Sequence, residues 1–129
     1  MSEAESKGPG VDAGLKRHGG LSYLEIPAAD VERSGRFYRD VMGWQVRDGD
    51  GGKFADAAGL LIGRFVTERP AARKGGMLAF FYVIGIRETV ERAVANDGEI
   101  VKPVYREGDL WVAVMRDPGG NLVGVWEEG

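Results

Sequence analysis

The sequence contains no cysteine. Disulfides, thiolate metal sites and cysteine nucleophiles are therefore excluded, and the chain is compatible with the cytoplasm, where we expect it. Histidine occurs once, as His18, which excludes a multi-histidine metal site. No apolar run approaches the length needed to span a bilayer, and the opening MSEAESKGPG lacks the apolar core of a secretory signal. Neither sign of charge dominates: 17 basic residues stand against 20 acidic ones, for a net charge of −3. A nucleic-acid partner requires a basic face and is not expected, nor is a membrane partner. No phosphate-cradling loop, dinucleotide fingerprint or nucleophile elbow is present.

What is present is a module written twice. Asp30-Val31 and Gly85-Ile86 open two helical patterns 55 residues apart, and Gly43 and Gly98 close them at the same spacing. DAAGLLIGRF (Asp56 to Phe65) returns 61 residues later as DPGGNLVGVW (Asp117 to Trp126). A repeated unit of this kind covers its apolar face with its twin. At 129 residues, 43% of them hydrophobic, the chain is one domain or two half-domains sharing a core.

The pattern predicts a flexible tail over residues 1–20, modules at 21–66 and 77–128, and a polar linker, TERPAARKGG, over 67–76. Leu21 to Pro27 alternates as a strand. Asp30 is placed to cap a helix whose apolar face is Val31, Ser34, Tyr38, Val41 and Met42, with Phe37 beside them. Gly43 is placed to end it. The charges of RSGRFYRD (Arg33 to Asp40) read as the solvated face. Trp44 to Arg47, Lys53 to Ala57 and Leu60 to Val66 follow as short strands, with DGDGG (Asp48 to Gly52) as a turn. The second module repeats the order: a strand over Met77 to Ile84, a helix with Ile86, Val90, Ala93 and Val94 inward and Gly98 as its stop, then strands over Glu99 to Arg106, Leu110 to Arg116 and Leu122 to Glu127. Trp44 and Trp111 read as core or interface residues, and Glu127 and Glu128 as a solvated terminus.

SYLEIPAADVERSGRFYRDVMGW resembles the opening of the vicinal oxygen chelate superfamily, which includes glyoxalase I, bleomycin-resistance proteins and extradiol dioxygenases. VMRDPGGNLVGVWEE resembles its closing hairpin, with an ending like that of predicted lactoylglutathione-lyase relatives. The resemblance runs from Leu21 to about Glu128. It implies an α+β fold in which two tandem β-α-β-β-β modules form a curved, partly open mixed β-barrel around a cavity. It also implies a homodimer. In metal-dependent members, each module gives one ligand (His, Glu or Gln) from its first strand and one from its last. The matching positions here are Tyr23, Gly63, Leu78 and Gly124. Glycine and leucine offer no donor, and tyrosine binds metal only as a phenolate. His18 falls in the predicted tail. We therefore expect no metal and no other cofactor.

If those positions face inward, alternation lines the cavity with Tyr23, Glu25 and Pro27; Leu78, Phe80 and Tyr82; Leu61, Gly63 and Phe65; and Leu122, Gly124 and Trp126. Ser22, Leu24, Ile26, Ile62, Val123 and Val125 then face the helices. Gly63 and Gly124 leave space where a glutamate would stand. Glu25 is the one carboxylate on this wall, and burial against aromatics would raise its pKa and suit it to proton transfer. The expected ligand set is Tyr23, Glu25, Gly63, Phe65, Leu78, Phe80, Tyr82, Gly124 and Trp126. Three functions are carried forward: a metal-independent protein binding a small apolar or aromatic molecule; a metal-independent lyase or isomerase with Glu25 as general base; and a metal-dependent glyoxalase-type lyase or dioxygenase. Whether the protein is an enzyme stays open at this point.

Overall fold

The structure, a computed structural model, describes residues 13–18, 20–47, 49, 51–72 and 76–129. Most of the expected tail, residues 73–75 of the linker, and Asp48 and Asp50 of the DGDGG turn lie outside the described residues. The first module is β1 (Tyr23–Pro27), α1 (Val31–Met42), β2 (Gln45–Val46), β3 (Lys53–Ala55) and β4 (Ile62–Val66). The second is β5 (Ala79–Tyr82), α2 (Ile86–Ala95), β6 (Glu99–Glu107), β7 (Leu110–Arg116) and β8 (Leu122–Glu128). Each module builds a mixed four-stranded sheet, ordered β1-β4-β3-β2 and β5-β8-β7-β6. The first strand pairs in parallel with the last, and the other pairs are antiparallel. Both orders of β-α-β-β-β are as expected. The two sheets remain separate, so the barrel is not closed. Among the described residues no helix is long and apolar enough to cross a membrane.

The helices start and stop by different devices. Asp30 accepts the Arg33 N–H at 3.2 Å, and Gly43, at φ 74°, closes α1 with its N–H on the Arg39 carbonyl. At α2 the N-cap is Gly85, which has no side chain to offer. Glu127 supplies it from β8, accepting the N–H groups of Gly85 and Ile86 at 2.8 and 2.9 Å. These bonds hold its carboxyl below the usual range. Glu127 is thus a helix cap, not a solvated terminus. At the other end, α2 stops at Ala95 and Asp97 takes the left-handed conformation (φ 69°) expected of Gly98. Gly98 is required for a different reason: a Cβ there would lie 2.7 Å from the Ala93 carbonyl oxygen and 2.8 Å from the Phe37 ring. Val94 is exposed and Thr89 takes its place in the core, because the stripe follows Ile86, Thr89 and Ala93.

One aromatic stack runs through the core. Trp44 lies on Tyr38 (4.6 Å) and Phe54 (4.9 Å) and meets Phe81 of the second module edge-on at 5.6 Å. Trp111 is half-buried under the guanidinium groups of Arg87 and Arg106. A polar connection runs beside the stack. The Tyr38 hydroxyl donates to buried Asp117 at 2.8 Å. Asn121 donates its backbone N–H to Asp117, and its Nδ2 bonds both Asp117 and the Pro27 carbonyl. The second hairpin is thereby fastened to α1 and β1 of the first module.

Burial raises the Asp117 pKa despite these hydrogen bonds, and burial beside that carboxylate pushes the Tyr38 phenol well up. An acid with a raised folded pKa stabilises most below its unfolded pKa and loses that contribution as pH climbs through the folded value. Tyr38→Phe deletes one donor that opposes the rise, so the variant should lose about 1–3 kcal/mol in urea unfolding near pH 7. The loss should shrink near pH 3, where Asp117 is protonated in either state. For Glu127 the sign is reversed: its contribution is present above the unfolded pKa and disappears as pH falls through the lowered folded one. Glu127→Gln should therefore lower Tm near neutrality and have little effect in acid, as read by circular dichroism melts.

Candidate functional site

The register of β4 decides what the first sheet presents. Tyr23 stands beside Ile62, Leu24 beside Gly63, Glu25 beside Arg64 and Ile26 beside Phe65. Strand neighbours share a face, so Ile62 and Arg64 join Tyr23 and Glu25 on the face turned away from the helices. Gly63 and Phe65 face the core. This reverses the expectation for this strand. Phe65 is 2% exposed and packs on Tyr38 and Phe54, so it lines no cavity. A Cβ on Gly63 would overlap the Leu24 carbonyl oxygen and the Phe54 ring.

The reason is one residue in a turn. Asp56 N–H bonds the Leu61 carbonyl, whereas Asp117 N–H bonds the Asn121 carbonyl. The first loop is longer by one residue, held by Asp56 Oδ1 accepting the N–H groups of Leu60 (2.9 Å) and Leu61 (3.2 Å). A one-residue shift moves every side chain of a strand to the opposite face. The ungapped match of DAAGLLIGRF to DPGGNLVGVW concealed it. Arg64 carried the signal, because pointing Gly63 and Phe65 outward would drive a guanidinium against the helices.

The second sheet follows the expected alternation. Phe80 lies beside Gly124 and Tyr82 beside Trp126, while Val123, Val125 and Phe81 face the core. Yet Gly124 leaves no cavity, because the Phe80 ring occupies the place of its missing side chain. Tyr82 meets Trp126 edge-on at 5.0 Å. Leu78, Phe80 and Tyr82 are exposed.

Glu25 is not the carboxyl in an aromatic pocket that the sequence suggests. Arg69, from the linker, donates to it at 2.6 Å, and Arg64 lies 3.7 Å away. The Arg69 hydrogen bond, joined by the charges of both arginines, pulls its pKa down against a smaller opposing effect of burial. A carboxylate held in this way is a poorer base than a free one.

The face in front of β1, β4, β3 and β2 carries a cavity of about 480 Å³. Tyr23 and Ile62 supply apolar surface, and Gly63 touches it through its backbone. None of Leu78, Phe80, Tyr82, Gly124 or Trp126 reaches it. The expected ligand set is therefore split between two sheet faces. With the register corrected, the fourth position for a family metal ligand is Arg64, the partner of Glu25 as Gly124 is of Phe80. Tyr23, Arg64, Leu78 and Gly124 do not form a donor set for a divalent metal. Among the described residues no group of three or more His, Cys, Asp or Glu converges as such a site requires. His18 is exposed, next to Arg17, whose guanidinium bonds the Leu21 and Leu60 carbonyls.

Comparison with known proteins agrees with this architecture. The sequence profile of the Glyoxalase/Bleomycin resistance protein/Dioxygenase superfamily matches residues 20–125. A glyoxylase-like domain-containing protein of Didymella fabae is 28% identical over 100 residues, covering 70% of this chain and 78% of that protein. A glyoxalase/bleomycin resistance protein/dioxygenase family enzyme from Burkholderia phytofirmans PsJN superposes with a TM-score of 0.69 at 21% identity, over 84% of this chain and 98% of that one. TnmS3, an antibiotic binding protein from Streptomyces sp. CB03234, superposes with a TM-score of 0.63 at 16% identity, over 85% and 96%. At these identities the structural likeness speaks for the fold.

The two glycines should respond differently to a methyl group. Gly63→Ala meets backbone and a buried ring, and should lose at least about 1–3 kcal/mol. For Gly124→Ala the nearest atoms belong to the half-exposed Phe80 ring, which can turn outward, and the variant should lose less than about 1 kcal/mol. Chemical denaturation of both variants checks the order; equal losses would contradict the register.

Proposed function

Because the chain belongs to the Glyoxalase/Bleomycin resistance protein/Dioxygenase superfamily, we propose that it binds a small apolar or aromatic molecule without a metal, in the trough of its first sheet. The observation that carries this reading is the cavity of about 480 Å³, of the size used for small ligands and floored by Tyr23 and Ile62. The lack of a donor set for a divalent metal at Tyr23, Arg64, Leu78 and Gly124 favours binding without metal. That TnmS3, which shares the fold, is an antibiotic binding protein supports a sequestering role. Glu25 acts in this reading as a counter-ion to Arg69 and Arg64 beside the cavity. General-base catalysis by Glu25 is the weaker alternative, since Arg69 and Arg64 both stabilise its charge. A metal-dependent lyase or dioxygenase is weaker still.

The same reading makes the protein a homodimer. Among the described residues β5 is an edge strand, paired only with β8, and presents Leu78, Phe80 (46% exposed) and Tyr82 (56%), with Met77 and Ile84 exposed on either side. A contiguous apolar edge of this kind invites pairing with another chain. A second copy that covers it leaves the first trough of each chain for the ligand.

A thermal-shift panel of small aromatic compounds tests binding, since a ligand at 100 times its Kd stabilises by about 2.7 kcal/mol. Tyr23→Ala should abolish the shift while leaving the unliganded Tm nearly unchanged, because the Tyr23 side chain is half exposed. Phe80→Asp should convert a dimer to a monomer in light scattering. A wild-type monomer at micromolar concentration would remove the dimer from the proposal.

A further inference from the structure

A second cavity, of about 580 Å³, opens where the two modules meet. The first module borders it with the C-terminal end of α1, from Asp40 to Gly43, and with Asp56 of the turn before β4. The second borders it with the end of β5 and with Thr89 and Arg92 of α2. Trp44 and Phe81, which meet edge-on, supply aromatic surface. Of the residues that line the trough of the first sheet, only Trp44 reaches this second cavity.

The charges around this cavity are of both signs and do not meet. Elsewhere between the modules opposite charges do meet: Arg33 and Arg36 of α1 reach Asp97, just past α2, at 3.2 and 3.5 Å. Asp40 and Arg92 belong to the same two helices, yet among the described residues neither has an ion-pair partner. Asp56 uses Oδ1 to accept the N–H groups of Leu60 and Leu61, and its Oδ2 accepts none among the described residues. The C-terminal end of α1 adds the negative end of its dipole to these carboxylates. On the second module, Arg92 is held by one nitrogen. Its Nη2 donates to Oγ1 of buried Thr89 at 3.4 Å, and that hydroxyl donates to the Gly85 carbonyl at 2.9 Å. The rest of the guanidinium fork is left for an acceptor. Carboxylates and a helix C-terminus on one module, with a guanidinium on the other, match a ligand that carries both an ammonium and a carboxylate. Trp44 and Phe81 add apolar surface for the remainder of such a ligand.

We propose that this second cavity takes a zwitterionic α-amino acid with an apolar side chain. Its ammonium lies by Asp40 and Asp56, its carboxylate on Arg92 and its side chain against Trp44 and Phe81. Three probes remove one charge at a time: L-phenylalanine, N-acetyl-L-phenylalanine and L-phenylalaninamide. Their binding to the full chain is measured by isothermal titration, and chemical-shift mapping at Thr89 and Phe81 locates it. L-phenylalanine should bind and move both signals, and each blocked analogue should bind at least about tenfold more weakly. Asp40→Asn should shrink the penalty for the acetyl group and leave that for the amide, and Arg92→Gln should do the reverse. Both residues are exposed, so the variants should keep the fold. If either analogue binds as tightly as L-phenylalanine, or if the penalties are unchanged in either variant, the zwitterion assignment falls. If L-phenylalanine moves neither Thr89 nor Phe81, or moves Tyr23 and Ile62 instead, the cavity is not its site and the proposal falls.

Discussion

The side chains of a strand alternate, so the length of a single turn decides which residues form the first trough. Asp56 sets that length. Its carboxylate holds the N–H groups of Leu60 and Leu61, and its own N–H reaches Leu61 rather than a residue one earlier. β4 consequently enters the sheet with Ile62 and Arg64 outward and Gly63 and Phe65 inward. Phe65 becomes part of the aromatic core, Gly63 becomes a position without room for a side chain, and Arg64 becomes a wall residue. The second module, whose turn is one residue shorter, presents Gly124 where the first presents Arg64. Two modules with nearly the same sequence pattern therefore offer different surfaces: a face that carries Arg64 and an apolar edge.

The halves hold together through a buried polar connection as well as an apolar one. The stack from Phe54 through Trp44 to Phe81 crosses between modules, but stacking alone permits sliding. The bonds from Tyr38 to Asp117 and from Asn121 to Pro27 fix one arrangement, because a displaced hairpin would leave a buried carboxylate without its donors. Glu127 adds a second fixed point by capping α2 from β8. The second hairpin thus carries contacts that position α1, β1 and α2.

Most of the architecture is legible in the sequence because it is encoded locally. Asp30 and Gly43 announce α1 by cap chemistry, and both modules show the strand and helix periods in order. What escapes is encoded between distant residues. Nothing near Gly85 reveals that its cap comes from Glu127, 42 positions away. Gly98 suggests a left-handed stop, but the structure uses Asp97 for that conformation and Gly98 for clearance against Ala93 and Phe37. In the candidate site, Tyr23 borders the cavity, whereas Glu25 shares its sheet face without lining it. Phe65 is misplaced by the extra turn residue, and Phe80 fills the space that Gly124 seems to open. Arg69 cannot be read as the partner of Glu25, because the linker carries no periodic signal for where it folds back.

A chain without cysteine allows the register to be read directly. Single cysteines introduced as Ile62→Cys, Arg64→Cys and Phe65→Cys can be titrated with a thiol reagent under native conditions. The structure predicts ready labelling at 62 and 64 and protection at 65 until urea unfolds the protein. Rapid labelling at 65 with protection at 64 would place β4 in the opposite register, and with it Arg64 would leave the trough.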